Sequence, residues 1–142
     1  MQIINSGEIQ WLSFSGHQDG EIRFKKLIQG VPDALDNFEF VLVRNGEDYT
    51  TPRHHHNFEQ LRFQLEGKFG YSPTEHMNQG EVGYFCEGTH YNQRAMGDSL
   101  MLLLQFGGAS ESGFVSYERL GEAYQELKEI GGFNDGIFSK IT

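Results

Sequence analysis

The sequence predicts an all-β fold, a sandwich or barrel of short strands, on three observations. Eighteen glycines and three prolines are scattered among short apolar runs in 142 residues, the punctuation of many turns rather than of a helical bundle. The stretch Gln60-Leu61-Arg62-Phe63-Gln64-Leu65 alternates polar and apolar side chains, and a period of two is strand geometry. Helical spacing shows in one segment, Tyr117 to Ile130.

Taken in order, the apolar runs predict strands at Ile9 to Ser13, Ile22 to Ile28, Phe38 to Arg44, Gln60 to Leu65, Phe69 to Ser72, Val82 to Phe85 and Leu100 to Phe106. Turn clusters separate them: Gly16 to Gly20, Pro32-Asp33, Asn45 to Asp48, Glu66-Gly67, Asn78 to Gly80 and Glu87-Gly88. Such regular punctuation favours a closed or two-layered β architecture. Near the C-terminal end, Leu120, Ala123, Tyr124, Leu127 and Ile130 fall on one helical face, with Ser116 as N-cap and Gly131-Gly132 as stop. The expected organisation is one domain over residues 1–142, with a barrel at about 20–108 and an amphipathic helix at about 117–130 that packs on its outside.

Composition narrows the function. Thirty-seven per cent of the residues are hydrophobic, with twelve Phe, six Tyr and one Trp, enough for a sizeable core. Eleven basic against twenty acidic residues leave a formal charge of -9, which repels phosphate backbones and anionic lipid; neither nucleic acid nor membrane is an expected partner. The single cysteine, Cys86, excludes an intramolecular disulfide and a Cys-rich zinc site. The first residues lack the basic start and apolar stretch of a secretory signal, and the longest apolar run, Leu100 to Leu104, is far too short to span a bilayer. A cytoplasmic protein is expected.

The sharpest feature is His54-His55-His56, directly before the alternating strand. In extended backbone, His54 and His56 point to one side and His55 to the other. Two imidazoles on one face can grip a common metal ion, although a solvated loop would carry the same tripeptide. The strand that follows has one apolar and one polar face. If its apolar face packs outward on a second sheet or a second subunit, the polar face lines a cavity. An inward Arg62 then needs a carboxylate or an anionic ligand opposite it.

Here the residues resemble a family, the cupins. Their first motif is Gly, a short spacer, His-x-His, three or four residues, Glu, six residues, Gly. In this chain Gly46, a spacer two residues longer, His54-His55-His56, three residues, Gln60, six residues and Gly67 follow that order. The second motif is Gly, five residues, Pro-x-Gly, two residues, His, three residues, Asn; here Gly80, five residues and Cys86-Glu87-Gly88 match it with Cys86 for Pro. The resemblance covers about residues 40–106 and implies a double-stranded β-helix, the jelly-roll barrel of small RmlC-like cupins, here with one C-terminal α-helix. It also implies a divalent metal on His54, His56, Gln60 and either His90 or Tyr91, and such imidazole-rich ligation suits a transition metal, iron, nickel, copper or zinc. Two departures stand out. Gln60 replaces the family's metal-binding Glu and is a weaker, neutral donor. The slot of the third His holds Tyr91, with His90 one residue early, so either could face the pocket.

Three functions remain open at this stage. The first is a metal-dependent enzyme of dioxygenase or isomerase type acting on a small oxygen-rich or anionic molecule. His54, His56, Gln60 and His90 would hold the ion, His56 and Tyr91 would be catalytic, and Arg62, Gln64 and Tyr84 would bind the ligand. The second is a metal-free isomerase or lyase using His54 or His56 as general base with Tyr91 or Tyr84 as proton donor. The third is a binding module without catalysis. Outside this constellation, Cys86 reads as a packing residue, and His17 and His76 as solvated. Trp11 fits an N-terminal strand packed on its own core or on another subunit. The outer face of Leu100 to Phe106 permits a homodimer.

Overall fold

The computed structural model describes residues 1–13, 19–30, 38–56 and 58–107. The expected helix at 117–130 and His17 lie outside the described residues. A 3-10 turn at Ser6–Glu8 precedes β1 (Leu12–Ser13), β2 (Ile22–Gln29), β3 (Phe38–Asn45), β4 (Phe58–Glu66), β5 (Phe69–Gly70), β6 (His76–Met77), β7 (Val82–Phe85), β8 (Arg94–Ala95) and β9 (Ser99–Gly107). Six strands form one sheet in the order β1-β2-β3-β9-β4-β7, and three form a smaller one, β6-β5-β8. Every pairing among them is antiparallel. The fold is therefore the all-β architecture that the turn punctuation predicted, in the jelly-roll form that the resemblance implied. Among the described residues no helix is long and apolar enough to cross a membrane.

The expected strands at 38–44, 82–85 and 100–106 match to within a residue at each end, and that at 60–65 is longer, Phe58–Glu66. Two shrink for local reasons. Ile9 to Ser13 is reduced to Leu12–Ser13, behind a 3-10 turn held by Asn5, whose side-chain oxygen accepts from the Gly7 amide. Phe69 to Ser72 is cut to two residues, because the Ser72 hydroxyl accepts from the Thr74 and Glu75 amides and turns the chain. The Trp11 ring lies 4.9 Å from the Lys25 ammonium of the same chain.

Register decides what the barrel contains. Across β2, β3, β9 and β4 the inward positions form rows: Gln29, Glu39, Gln105 and Gln60, then Lys26, Val41, Leu103 and Arg62, then Phe24, Val43, Met101 and Gln64. A last row, Ile22, Asn45 and Ser99, closes the far end. The apolar members join Tyr49, Phe69, Tyr71, Met77 and Tyr91 in one core. Gly67 makes the turn from β4 to β5 at φ 73°, where a Cβ would run into the Asp98 carbonyl oxygen.

The opposite positions of the same strands, among them Phe40, Leu104, Leu61 and Tyr84, then Leu42, Leu102, Phe63 and Val82, give the outer face of the sheet two apolar rows. In β4 the alternation thus runs polar-in, apolar-out. Gln60, Arg62 and Gln64 are buried while Leu61 and Phe63 are 39% and 38% exposed.

Candidate functional site

Residues 50 to 54 run antiparallel to the segment that ends β8's approach. The Thr51 amide donates to the Gln93 carbonyl, and His54 and Tyr91 exchange both backbone hydrogen bonds at 2.9 and 3.0 Å. This isolated bridge sets His54 opposite Tyr91, so their side chains share the inward face. Their rings lie 5.0 Å apart, and His56 meets His54 edge-on at 4.9 Å and 87°. The turn Cys86 to Thr89 is tied to the same segment by the Gly88 amide, which donates to the His56 carbonyl at 2.8 Å.

His54 is buried, with its Nδ1 2.7 Å from the Pro52 carbonyl oxygen. A carbonyl only accepts, so Nδ1 carries the proton and Nε2 is the basic nitrogen of the neutral ring.

The same alternation separates the other two histidines. His55 and His90 flank the bridged pair and project to the opposite face, their rings 4.7 Å apart. Partial burial, with the His90 charge adding to it, lowers the pKa of His55. Of the two candidates for the third-histidine slot, the structure turns Tyr91 inward and leaves His90 exposed.

Behind Tyr91 stands Arg62, 3% exposed. Its Nε donates to the Gln60 amide oxygen at 3.1 Å, and its Nη2 donates both to that oxygen and to the Tyr91 hydroxyl, the latter at 2.9 Å. Tyr91 in turn donates to the Gln60 oxygen at 3.0 Å. With the Gln93 amide oriented to satisfy both its ends, its oxygen accepts from Arg62 Nη1 at 3.1 Å and Nη2 at 2.9 Å, and its nitrogen donates to the Tyr49 hydroxyl. The guanidinium carbon lies 4.6 Å from the Phe85 ring and 5.1 Å from those of Tyr71 and Tyr91. Neutral acceptors and three aromatic faces thus solvate this charge in place of water.

The expected roles of Tyr84 and Tyr91 change with placement, while Gln64 keeps its expected inward position. Tyr84, expected at the pocket, pairs with Leu61 and so lies on the outer face, where its hydroxyl donates to Glu59 at 2.6 Å. That hydrogen bond pushes its pKa up to about 12. Gln64 is inward and fully buried; its Nε2 donates to the Glu66 carbonyl at 2.7 Å, and among the described residues its Oε1 has no hydrogen-bond partner. Tyr91 reaches the site, yet burial drives its phenol up to about 12 against the opposing pull of Arg62. Its proton is committed to Gln60, which makes it a poor acid at neutral pH.

The metal set can be tested on the same geometry. Gln60 would offer its amide oxygen, but three hydrogen-bond donors already address that atom, which has two lone pairs. His90 lies across the strand with His55. That leaves the imidazoles of His54 and His56, and among the described residues no group of three or more His, Cys, Asp or Glu side chains converges. The expected four-ligand shell does not fit these residues.

Sequence reasoning passed over Glu39, fully buried and held by Gln29 at 2.6 Å and Lys26 at 3.5 Å. It also passed over Tyr71, Phe85 and Gln93, which complete the surround of Arg62. Among the described residues the buried Tyr71 hydroxyl has no hydrogen-bond partner. Cys86 is exposed rather than packed, its sulfur 3.2 Å from the Thr89 hydroxyl.

No family model and no curated protein matches the chain. Solved structures do. A putative acetylacetone dioxygenase from Methylibium petroleiphilum PM1 superposes with a TM-score of 0.65 at 13% identity, over 81% of this chain and 86% of that one. An RmlC-like cupin from Ralstonia eutropha JMP134 gives 0.59 at 14% identity, over 94% and 90%. The polyketide cyclase RemF from Streptomyces resistomycificus gives 0.61 at 19% identity, over 74% and 78%. A predicted oxalate decarboxylase from Thermotoga maritima gives 0.59 at 16% identity, over 73% and 97%. Strand order, the inward His54–Tyr91 bridge and these superpositions lead to one statement: the fold of this chain is that of the RmlC-like cupins.

Proposed function

We propose that the barrel receives a small oxygen-rich or anionic molecule beside His54 and His56 and acts on it by metal-free proton transfer, as an isomerase or lyase. The observation that carries this reading is the buried His54 ring with its tautomer pinned by the Pro52 carbonyl, 4.9 Å from a second imidazole. The neighbours' names span a dioxygenase, a decarboxylase and a cyclase, so the fold leaves the reaction open and the choice falls to the residues.

In this reading His54 Nε2 removes a proton from a carbon next to a carbonyl, and the electron pair moves into the carbonyl oxygen as an enolate. The Nδ1–H bond to Pro52 stabilises the imidazolium that forms. The proton then returns to a different carbon, giving isomerisation, or stays while a leaving group departs with the electron pair, giving elimination. His56, edge-on and less buried, relays protons between the site and water. The positive charge of Arg62 behind Tyr91 favours an anion in the barrel without using a guanidinium hydrogen bond for it. The single exposed thiol suits a reducing compartment, and we place the protein in the cytoplasm.

The test is proton exchange, which needs no knowledge of the product. Small keto acids and diketones that shift the protein's melting temperature are incubated in deuterium oxide with excess chelator, and loss of the α-proton signal is followed by NMR. The expected result is exchange that is insensitive to chelator and slowed about 100-fold or more in His54→Gln. Exchange that survives this substitution, exchange abolished by chelator, or no exchange in any bound compound overturns the proposal.

A further inference from the structure

The Gln60–Arg62–Tyr91 cluster bears on the same site but is independent of whether proton transfer occurs there. We infer that the Arg62 guanidinium stands in for a divalent ion as the built-in cation of this barrel, and that its pairing with Gln60 is what keeps such an ion out.

The argument begins with lone pairs. The Gln60 amide oxygen faces Arg62 Nε, Arg62 Nη2 and the Tyr91 hydroxyl at once, so coordinating a metal would cost it hydrogen bonds to a buried cation. Tyr91 is bound from both sides: its oxygen accepts from Arg62 and its proton goes to Gln60. Stripping that phenol to make it a ligand would dismantle the same cluster.

Charge gives the second reason. The Tyr91 ring centroid lies 5.0 Å from that of His54, 5.8 Å from that of His56 and 5.1 Å from the guanidinium carbon. An ion held by the two imidazoles would share the surroundings of Tyr91 with a buried positive charge, and like charges in a low-dielectric interior repel strongly. The amide at position 60 belongs to the same logic. A neutral side chain there suits a site whose cation is already covalently attached, whereas an ion on two imidazoles would lack the anion that compensates it.

The ligand chemistry follows. A fixed guanidinium carries a single charge, is not removed by chelators and cannot change oxidation state. The site therefore selects a singly charged oxyanion, a carboxylate or enolate, over molecules that need two open positions on a metal.

The experiment measures metal affinity without substrate. Protein purified without a tag, carrying His90→Gln so that the outer His55–His90 pair is removed, is titrated with nickel and with zinc by calorimetry. The expected result is weak binding that His54→Gln leaves unchanged. Adding Gln60→Glu alone should not tighten it, because the new carboxylate pairs with Arg62. Adding Gln60→Glu together with Arg62→Met should tighten nickel binding by about 100-fold or more, in a manner that His54→Gln abolishes. One tightly bound equivalent in the parent, lost with His54→Gln, overturns the inference, as does a folded double variant that binds no more tightly. Should the double variant fail to fold by circular dichroism, the parent and Gln60→Glu titrations decide: no gain in either supports the inference, and a gain in Gln60→Glu overturns it. A failure here leaves the proton-exchange result standing, and the converse also holds.

Discussion

At Gln60 one amide oxygen collects hydrogen bonds from Arg62 and Tyr91, and the identity of a single side chain thereby sets the chemistry available to its neighbours. His55 shows the same economy on the other face. Its folded-state pKa lies below the ordinary 6.5, first through burial and then through His90. As pH falls from neutrality the unfolded chain therefore takes up this proton before the folded one does. Stability should decline from near pH 7 until the folded ring is itself protonated, after which the loss levels off. Urea midpoints for the parent should fall between roughly pH 7.5 and 5.5, and His55→Gln should flatten that part of the profile. A parent midpoint that rises over this interval, or an unchanged slope in the variant, contradicts the assignment. Sequence alone leaves His90 and Tyr91 on equal terms, because the choice turns on a one-residue register fixed by the bridge to His54, a contact between segments 37 positions apart.

Among the elements, β4 was legible and β3 and β9 were only half so. Strict alternation in β4 permits two faces, and a barrel interior settles which is inward once Arg62 finds acceptors there. In β3 and β9 both faces carry large apolar side chains, Phe40 and Leu42 against Val41 and Val43, Leu102 and Leu104 against Met101 and Leu103. Periodicity could mark them as strands but not say that Glu39 points in. The two-residue strands β6 and β8 leave no pattern at all, since their pairing is imposed by the turns around them. Turn chemistry was read well at Glu66-Gly67, and it carries a prediction at this scale. Gly67→Ala places a Cβ both at positive φ and against the Asp98 carbonyl, and should cost more than about 1 kcal/mol in urea unfolding. A change within about 0.5 kcal/mol would mean that the turn relaxes freely.

For the molecule as a whole, the outer sheet face carries exposed apolar side chains. Leu61 and Phe63 on β4 are 39% and 38% exposed, and Val82 and Tyr84 on the edge strand β7 are 66% and 59% exposed, continuing the half-buried rows of β3 and β9. A contiguous apolar band of this kind exceeds the scattered apolar residues of an ordinary surface. We propose that a second copy of the chain covers it, and sedimentation velocity should show a dimer that Phe63→Glu with Val82→Glu converts to monomer. A monomeric parent at about 100 µM, well above the dissociation constant of a stable dimer, would remove this proposal. The interior imposes a different constraint on the whole protein. Because Gln60, Arg62, Tyr91 and Gln93 satisfy one another across several segments, single replacements among them should be far more damaging than matched pairs, with strong non-additivity in double-mutant cycles. Any drift of this barrel toward another chemistry, natural or engineered, would have to travel by compensated steps, a narrow route that shields the present site from casual change.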